Sequence, residues 1–274
     1  MHSRNDIGAL LSEHGLAPRR DLGQNFVVDA NVVRKIARLA GVGPDDHVVE
    51  IGAGLGSLTL ALAETGAAVT AIEVDHGLAG ALRDVVADLS NVAVVEEDAM
   101  RLDWNALLSG VDRWVLVANL PYNVATPLVC DLLDHVPAVE RMLVMVQREV
   151  AERLCAPARS EAYGAVSVKV AYWATARIVG TIPASVFLPR PKVESALADI
   201  RRRPVAAVDV PPEPLFELVR TAFGQRRKML RRSLADVVAP DVFVAAGIDS
   251  QRRPEELDVV EWGALTRAWM TAST

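Results

Sequence analysis

Cysteine is scarce in this chain of 274 residues: only Cys130 and Cys155 are present. Two cysteines are too few to staple a disulfide scaffold, and they stand at no metal-ligand spacing. Long hydrophobic runs are missing too. No 18 consecutive apolar residues occur, so a membrane span is not expected. Residues 1–15 mix charges of both signs and lack the apolar core of a secretory signal. Aromatic residues make up 5% of the chain, and lysine is nearly absent, because 25 of the 29 basic residues are arginine. Arginine suits bidentate phosphate contact, although a GC-rich genome would leave the same bias. The five histidines (His2, His14, His47, His76 and His135) occupy no triad-like context and read as solvated or capping groups.

What is present is apolar. With 51% hydrophobic and 23% charged residues, the chain has ample material for a core, and disorder is excluded for most of it. It reads as soluble and cytoplasmic. The formal net charge of −6 is unevenly spread. Acidic residues run through the first hundred positions, whereas 220–232 holds Arg220, Arg226, Arg227, Lys228, Arg231 and Arg232, and Arg201–Arg203 forms a second basic run. A mildly acidic protein still binds nucleic acid when its positive charge lies on one face.

Between 45 and 147, short β-branched runs alternate with amphipathic stretches of helical length, the pattern of a parallel sheet covered by helices. Strands are predicted at 47–51, 68–73, 92–95, 114–118 and 141–146, and helices at 29–40, 57–65, 76–88, 123–135 and 148–155. Asp29 and Gly41 are candidate caps of the first helix. Runs 176–182 and 195–201 read as late strands that add antiparallel at a sheet edge. Four prolines within 204–214 interrupt regular structure. Beyond them 215–223, 228–238, 240–246 and 260–271 read as short helices. The division predicted is an α/β domain over 1–203 and a small all-helical domain over 204–274.

Glu50-Ile51-Gly52-Ala53-Gly54-Leu55-Gly56 lies between a predicted strand and a helix. Glycines there let the backbone pass close to a ligand. The spacing is Gly-x-Gly-x-Gly rather than the Gly-x-Gly-x-x-Gly of dinucleotide enzymes, and a turn needed only for packing would look the same in isolation. Glu73 ends the second strand, where a carboxylate can accept both ribose hydroxyls of a nucleoside. Asp98 follows the third, within reach of an adenine amino group. Three carboxylates at successive strand ends lie where open α/β sheets bind ligands, although each alone could be a helix cap. Glu50 would repel a diphosphate and suits a ligand bearing a sulfonium and an ammonium. The cofactor implied is S-adenosylmethionine.

The fourth strand ends in Asn119-Leu120-Pro121-Tyr122. Proline fixes φ and removes an amide donor, so the tetrapeptide is a rigid turn. The Asn119 carboxamide oxygen and the carbonyl beside Pro121 can accept from an exocyclic NH₂, and Tyr122 can stack on the ring that carries it. Phe187 precedes the proline-stiffened Leu188-Pro189-Arg190-Pro191-Lys192-Val193. It is either a second stacking surface opposite Tyr122 or a core residue; Lys192 either meets a phosphate or caps a carbonyl.

These motifs, with Leu22-Gly23-Gln24-Asn25-Phe26, resemble the ribosomal RNA adenine N6,N6-dimethyltransferases over roughly residues 15–235. Gln147-Arg148-Glu149-Val150, Ala162-Tyr163-Gly164 and Phe223-Gly224-Gln225-Arg226-Arg227-Lys228 are most similar to the branch that modifies two adjacent adenosines in a hairpin near the 3′ end of 16S rRNA. Glu194 departs from the aspartate many relatives carry and preserves the charge. The resemblance implies a Rossmann-like class I methyltransferase domain with a helical RNA-binding domain. It implies that Gln24 and Asn25, beside Phe26 and Gly52, hold the methionine portion of S-adenosylmethionine. Glu73 then takes the ribose, Asp98 the adenine, and Asn119 the cofactor and target amine. Tyr122 and Phe187 sandwich the target base, while Lys192, Arg226, Arg227 and Lys228 meet RNA. A monomer acting on 16S rRNA in an immature 30S subunit is the leading expectation. The alternatives are a 23S rRNA enzyme of the macrolide-resistance type, a non-catalytic ribosome-assembly factor on the same fold, and a small-molecule methyltransferase.

Overall fold

The computed structural model describes residues 1–19 and 22–272; the last two residues of the predicted helical domain, 273–274, lie outside them. The chain divides into two compact units, one of residues 1–151 and 177–202 and the other of 152–176 and 203–274. In the first, α1 (Arg4–Glu13), β1 (Phe26–Val27) and α2 (Ala30–Ala40) precede an alternating series. That series runs β2 (His47–Ile51), α3 (Ser57–Ala63), β3 (Ala68–Glu73), α4 (His76–Val85), β4 (Val92–Glu96), α5 (Trp104–Leu107), β5 (Trp114–Asn119), α6 (Ala125–His135), β6 (Val139–Gln147) and α7 (Arg148–Cys155). Later come β7 (Ala174–Ile182), β8 (Phe187–Leu188) and β9 (Ser195–Arg202).

Seven strands form one sheet in the order β4-β3-β2-β5-β6-β9-β7. Pairings β4–β3, β3–β2, β2–β5 and β5–β6 are parallel, and β9 joins β6 antiparallel. Central strands such as β2 and β5 are nearly continuous in apolar residues because helices cover both faces. Chain order reverses between β2 and β5, and the crevice outside the strand ends at such a point is where open α/β sheets bind ligands. The predicted caps of α2 are present: the Asp29 carboxylate accepts from the Asn31 amide at 2.8 Å, and Gly41 ends the helix at φ +62°.

Arginines of the Arg201–Arg203 run serve the fold. Arg202 donates to the Leu132 and Leu133 carbonyls at 2.9 Å and to Val136 at 3.2 Å, placing a cation on the negative end of α6. Arg201 pairs with buried Asp199 at 3.1 Å. Arg141 holds the same carboxylate at 2.7 Å and donates to the Leu39 carbonyl at 2.8 Å, at the end of α2. Against the upward push of burial, Arg141 and Arg201 hold the Asp199 carboxyl below the usual carboxylate range, and Arg177 stands 3.4 Å from the same carboxylate.

The second unit contains α8 (Ala165–Trp173), α9 (Pro212–Phe223), α10 (Leu230–Ser233), α11 (Pro240–Ala245) and α12 (Val259–Ala272). Its core joins Tyr163, Val168 and Tyr172 to Leu215, Phe216, Leu218 and Trp262. The Tyr163 hydroxyl donates to the Leu257 carbonyl at 2.9 Å and that of Tyr172 to Val210 at 2.7 Å. A division at 203 therefore assigns 152–176 to the wrong unit, because the apolar side chains of this segment are buried with α9 and α12. Helix α9 begins at Pro212 rather than 215, since proline fits the first helical position, whose amide has no partner. The helix predicted over 228–238 shrinks to α10.

Candidate active site

The loop after β2 sets the geometry. Gly52, Gly54 and Gly56 all have positive φ, +71°, +58° and +80°, where residues with a Cβ are strained. At Gly54 a Cβ would also stand 3.1 Å from the Phe26 ring, and at Gly56 2.7 Å from Leu82. The turn is therefore glycine-dependent for both conformation and space. The Gly54 amide donates to Glu73 Oε2 at 2.8 Å and the Asp75 amide to Glu73 Oε1 at 2.9 Å. Two backbone donors thus fix the Glu73 carboxylate at the end of β3 while leaving a lone pair on each oxygen. Burial pushes the Glu73 carboxyl up, against these donors.

A single cleft brings together most of the residues singled out from the sequence. Gln24, Asn25 and Phe26 form one wall, Glu50, Gly52, Gly54 and Glu73 another, and Asn119, Leu120, Pro121 and Tyr122 a third. Gly56 shapes the turn and does not line the cleft. Asp98 lies in an adjoining cleft with Met100, Val124 and Leu128, and the two share Leu22, Gly52, Val74 and Pro121. Asp98 accepts from the Met100 amide at 2.9 Å and stands 3.7 Å from Arg101. No lysine or arginine lines the first cleft among the described residues. The acceptor oxygens of Glu50 and Glu73 are wrong for a diphosphate and fit a nucleoside with a cationic tail. The residues present therefore fit S-adenosylmethionine.

Glu50 differs from its sequence-based reading in one respect. It is 2% exposed and accepts from Thr59 Oγ1 at 2.6 Å. Desolvation pushes its carboxyl up to about 8, with the Thr59 bond opposing and the charge of Glu73 adding to the shift. At neutral pH the free protein therefore holds a protonated acid there, and a cation beside it would favour the ionised form.

Asn119, at the end of β5, donates from Nδ2 to the Asn25 carbonyl at 3.0 Å, which leaves its carboxamide oxygen as an acceptor toward the cleft. The Leu120 amide donates to Met145 and the Pro121 carbonyl accepts from Val124 and Ala125, so both sides of the turn are anchored. The Tyr122 hydroxyl bonds to Ser195 Oγ at 3.0 Å, and burial pushes its phenol up. Tyr122 and Asn25 also line an outer opening with Asn123, Gln147, Pro191 and Lys192. Lys192 is exposed at this rim.

Phe187 is not in the cleft. It is fully buried among Val27, Ile36, Val117, Leu143 and Leu197, and β8 pairs antiparallel with β1 so that Phe187 opposes Val27. The sandwich of Tyr122 and Phe187 is thus replaced by a core role for Phe187, and Pro191 and Val193 are the apolar residues that line the outer opening with Tyr122. In the second unit, Arg226 is tied to Glu255 at 2.9 Å and to the Glu161 carbonyl at 2.8 Å. Arg227 and Lys228 are exposed, and their side chains make no ion pair among the described residues. Sequence reasoning missed Ser57, Val74, Leu78 and Met100, which line these clefts; none carries a local signal that separates it from packing. Gln147, quoted only as part of a family motif, lines the outer opening.

A family model described as ribosomal RNA adenine dimethylase matches residues 15–266. The chain belongs to this family. Among relatives of the dimethylase, a protein of Bifidobacterium adolescentis named ribosomal RNA small subunit methyltransferase A is 44% identical, over 96% of this chain and 92% of its own. One of the same name from Streptomyces avermitilis is 46% identical over 95% and 91%. In fold, this dimethylase is similar to a dimethyladenosine transferase from Plasmodium falciparum, with TM-score 0.74 at 23% identity over 86% of this chain and 94% of that one. The 23S rRNA methyltransferase ErmE gives TM-score 0.69 at 25% identity over 89% and 99%. The mostly parallel sheet and its crevice are those of a Rossmann-like class I methyltransferase.

Proposed function

We propose that this dimethylase transfers methyl groups from S-adenosylmethionine to the N6 amines of two adjacent adenosines in a hairpin near the 3′ end of 16S rRNA. Small-subunit methyltransferases matching nearly the whole chain at 44–46% identity support the small-subunit substrate. The observation that carries the chemistry is Asn119: its amide nitrogen is committed to Asn25, and it lines the cofactor cleft beside Tyr122, which also lines the outer opening.

When bound, the cofactor supplies an electrophilic methyl on a sulfonium with a neutral thioether as leaving group. The chain's own residues bind and orient. Gln24, Asn25 and Glu50 take the methionine portion, Glu73 the ribose and Asp98 the adenine. Asn119 and the Leu120 carbonyl accept the N6–H hydrogens of the target. Adenine N6 is a poor nucleophile because its lone pair is delocalised into the ring; accepting its hydrogens favours a pyramidal nitrogen with an exposed lone pair. Tyr122 stacks on the extruded base. Such positioning supplies on the order of 7–11 kcal/mol in favourable cases.

Arg227 and Lys228 contact RNA phosphates, which makes the helical unit an RNA-binding one, and Lys192 contacts RNA from the rim of the outer opening in the first unit. An immature 30S subunit as substrate goes with a cytoplasmic enzyme that works as a monomer. The test is Asn119→Ala on undermethylated 30S particles. The variant is expected to bind them within about twofold of wild type and to transfer no methyl groups; full activity would overturn the role, and a large loss of RNA affinity would make Asn119 a binding residue.

A further inference from the structure

Ser57 opens α3 directly after Gly56. The residue is 9% exposed, and its Oγ is buried with no hydrogen-bond partner among the described residues. It lies in the wall of the cleft that holds Glu50, Glu73 and Asn119. Buried hydroxyls are paired with protein, water or ligand in the great majority of cases, because an unmade hydrogen bond forfeits the full cost of desolvation. The other hydroxyl of this helix turn, Thr59 Oγ1, is already committed to Glu50. The other buried orphan among the described residues, Trp262 Nε1, sits in the apolar core of the second unit. Ser57 alone combines an orphaned donor with a ligand cleft.

The chemistry of the cleft selects what Ser57 meets, on the reading of this cleft as the cofactor site. Glu73 suits hydroxyls, Asp98 in the adjoining cleft suits an amino group, and Glu50 suits a cation. The α-carboxylate is the only anionic group of S-adenosylmethionine, and no lysine or arginine lines the cleft to receive it. Of the neutral side-chain donors on the methionine portion, Gln24 already donates to Asp75 and Asn25 to the Gly23 carbonyl, whereas the Ser57 hydroxyl has no partner among the described residues. We propose that the Ser57 hydroxyl donates a hydrogen bond to this α-carboxylate and so recognises the amino-acid end of the cofactor. Charge-assisted hydrogen bonds of this type are the stronger ones.

Calorimetric titration of Ser57→Ala with S-adenosylmethionine, S-adenosylhomocysteine and decarboxylated S-adenosylmethionine tests the assignment. The two carboxylate-bearing ligands are expected to bind about tenfold more weakly than to wild type, and the decarboxylated one within about twofold. The ligand-free variant should melt no lower than wild type, since it loses an unpaired hydroxyl. Equal losses for all three ligands, or none, would overturn the assignment. Ser57→Gly removes the same hydroxyl together with its Cβ and repeats the pattern should the alanine variant fold poorly. Glu73→Ala, run in parallel, is expected to weaken all three. If it weakens none, the cofactor reading of the cleft fails along with that of Ser57. If it weakens all three and Ser57→Ala fails to single out the carboxylate ligands, only the Ser57 assignment falls.

Discussion

Replacing Glu50 by glutamine should stabilise the cofactor-free protein, and increasingly so as pH rises. The folded carboxyl is pushed up to about 8 by burial, from 4.5 when solvated. Below about pH 4.5 both states hold the proton and Glu50 costs nothing. Between about 4.5 and 8 the unfolded chain ionises while the folded protein keeps its proton, so stability falls by about 1.4 kcal/mol per pH unit. Above about 8 the loss levels off. Glutamine keeps the shape and an acceptor for Thr59 but does not titrate. Urea unfolding of both proteins at pH 5 and pH 7 should therefore show the variant gaining about 2–3 kcal/mol on wild type across those two units. The same substitution should weaken S-adenosylmethionine, because the ionised carboxylate that meets a cation is gone. A stability difference that does not change between pH 5 and 7 would mean that Glu50 is charged in the folded protein and that burial does not raise its carboxyl.

Phe187→Ala should cost about 3–5 kcal/mol of stability, because it empties a fully buried site; thermal unfolding that matches wild type, with methylation lost, would return Phe187 to a stacking role. Tyr122→Phe keeps the ring and loses the bond to Ser195, so methyl transfer to 30S particles should fall less than tenfold, whereas Tyr122→Ala should abolish it. An equal loss in both would assign the work to the hydroxyl. Arg227→Ala with Lys228→Ala should weaken binding to 30S particles and reduce the slope of log affinity against log salt by about two. Arg226→Ala should instead lower the melting temperature of the helical unit, since its guanidinium is held by Glu255 and Glu161.

Much of the cofactor cleft is legible in the sequence because its parts are local. A strand end, a glycine turn and a carboxylate each lie within a few residues, and the parallel alternation dictates that the strand ends gather at one crevice. What escapes is long-range. Phe187 reads as a loop aromatic beside prolines, yet β1 lies 160 positions away in the chain and pairs with it; no local pattern announces two-residue strands. Ala165–Trp173 is rich in β-branched and aromatic residues and signals no helix, but burial of Val168 and Tyr172 against α9 decides the outcome. The first unit boundary falls inside α7, between 151 and 152, where no proline or glycine marks it. The Arg201–Arg203 run looks like a surface patch until its guanidiniums are seen on Asp199 and on the carbonyls that close α6.

The cleft is proposed to deliver a methyl group to adenine N6 in the small subunit. The most direct measurement is transfer from labelled S-adenosylmethionine to undermethylated 30S and 50S particles assayed separately, with digestion and identification of the labelled nucleoside. The predicted result is N6,N6-dimethyladenosine confined to 30S, at four methyl groups per particle. Label confined to 23S rRNA would contradict the substrate assignment, and no label in either particle despite cofactor binding would contradict catalysis itself.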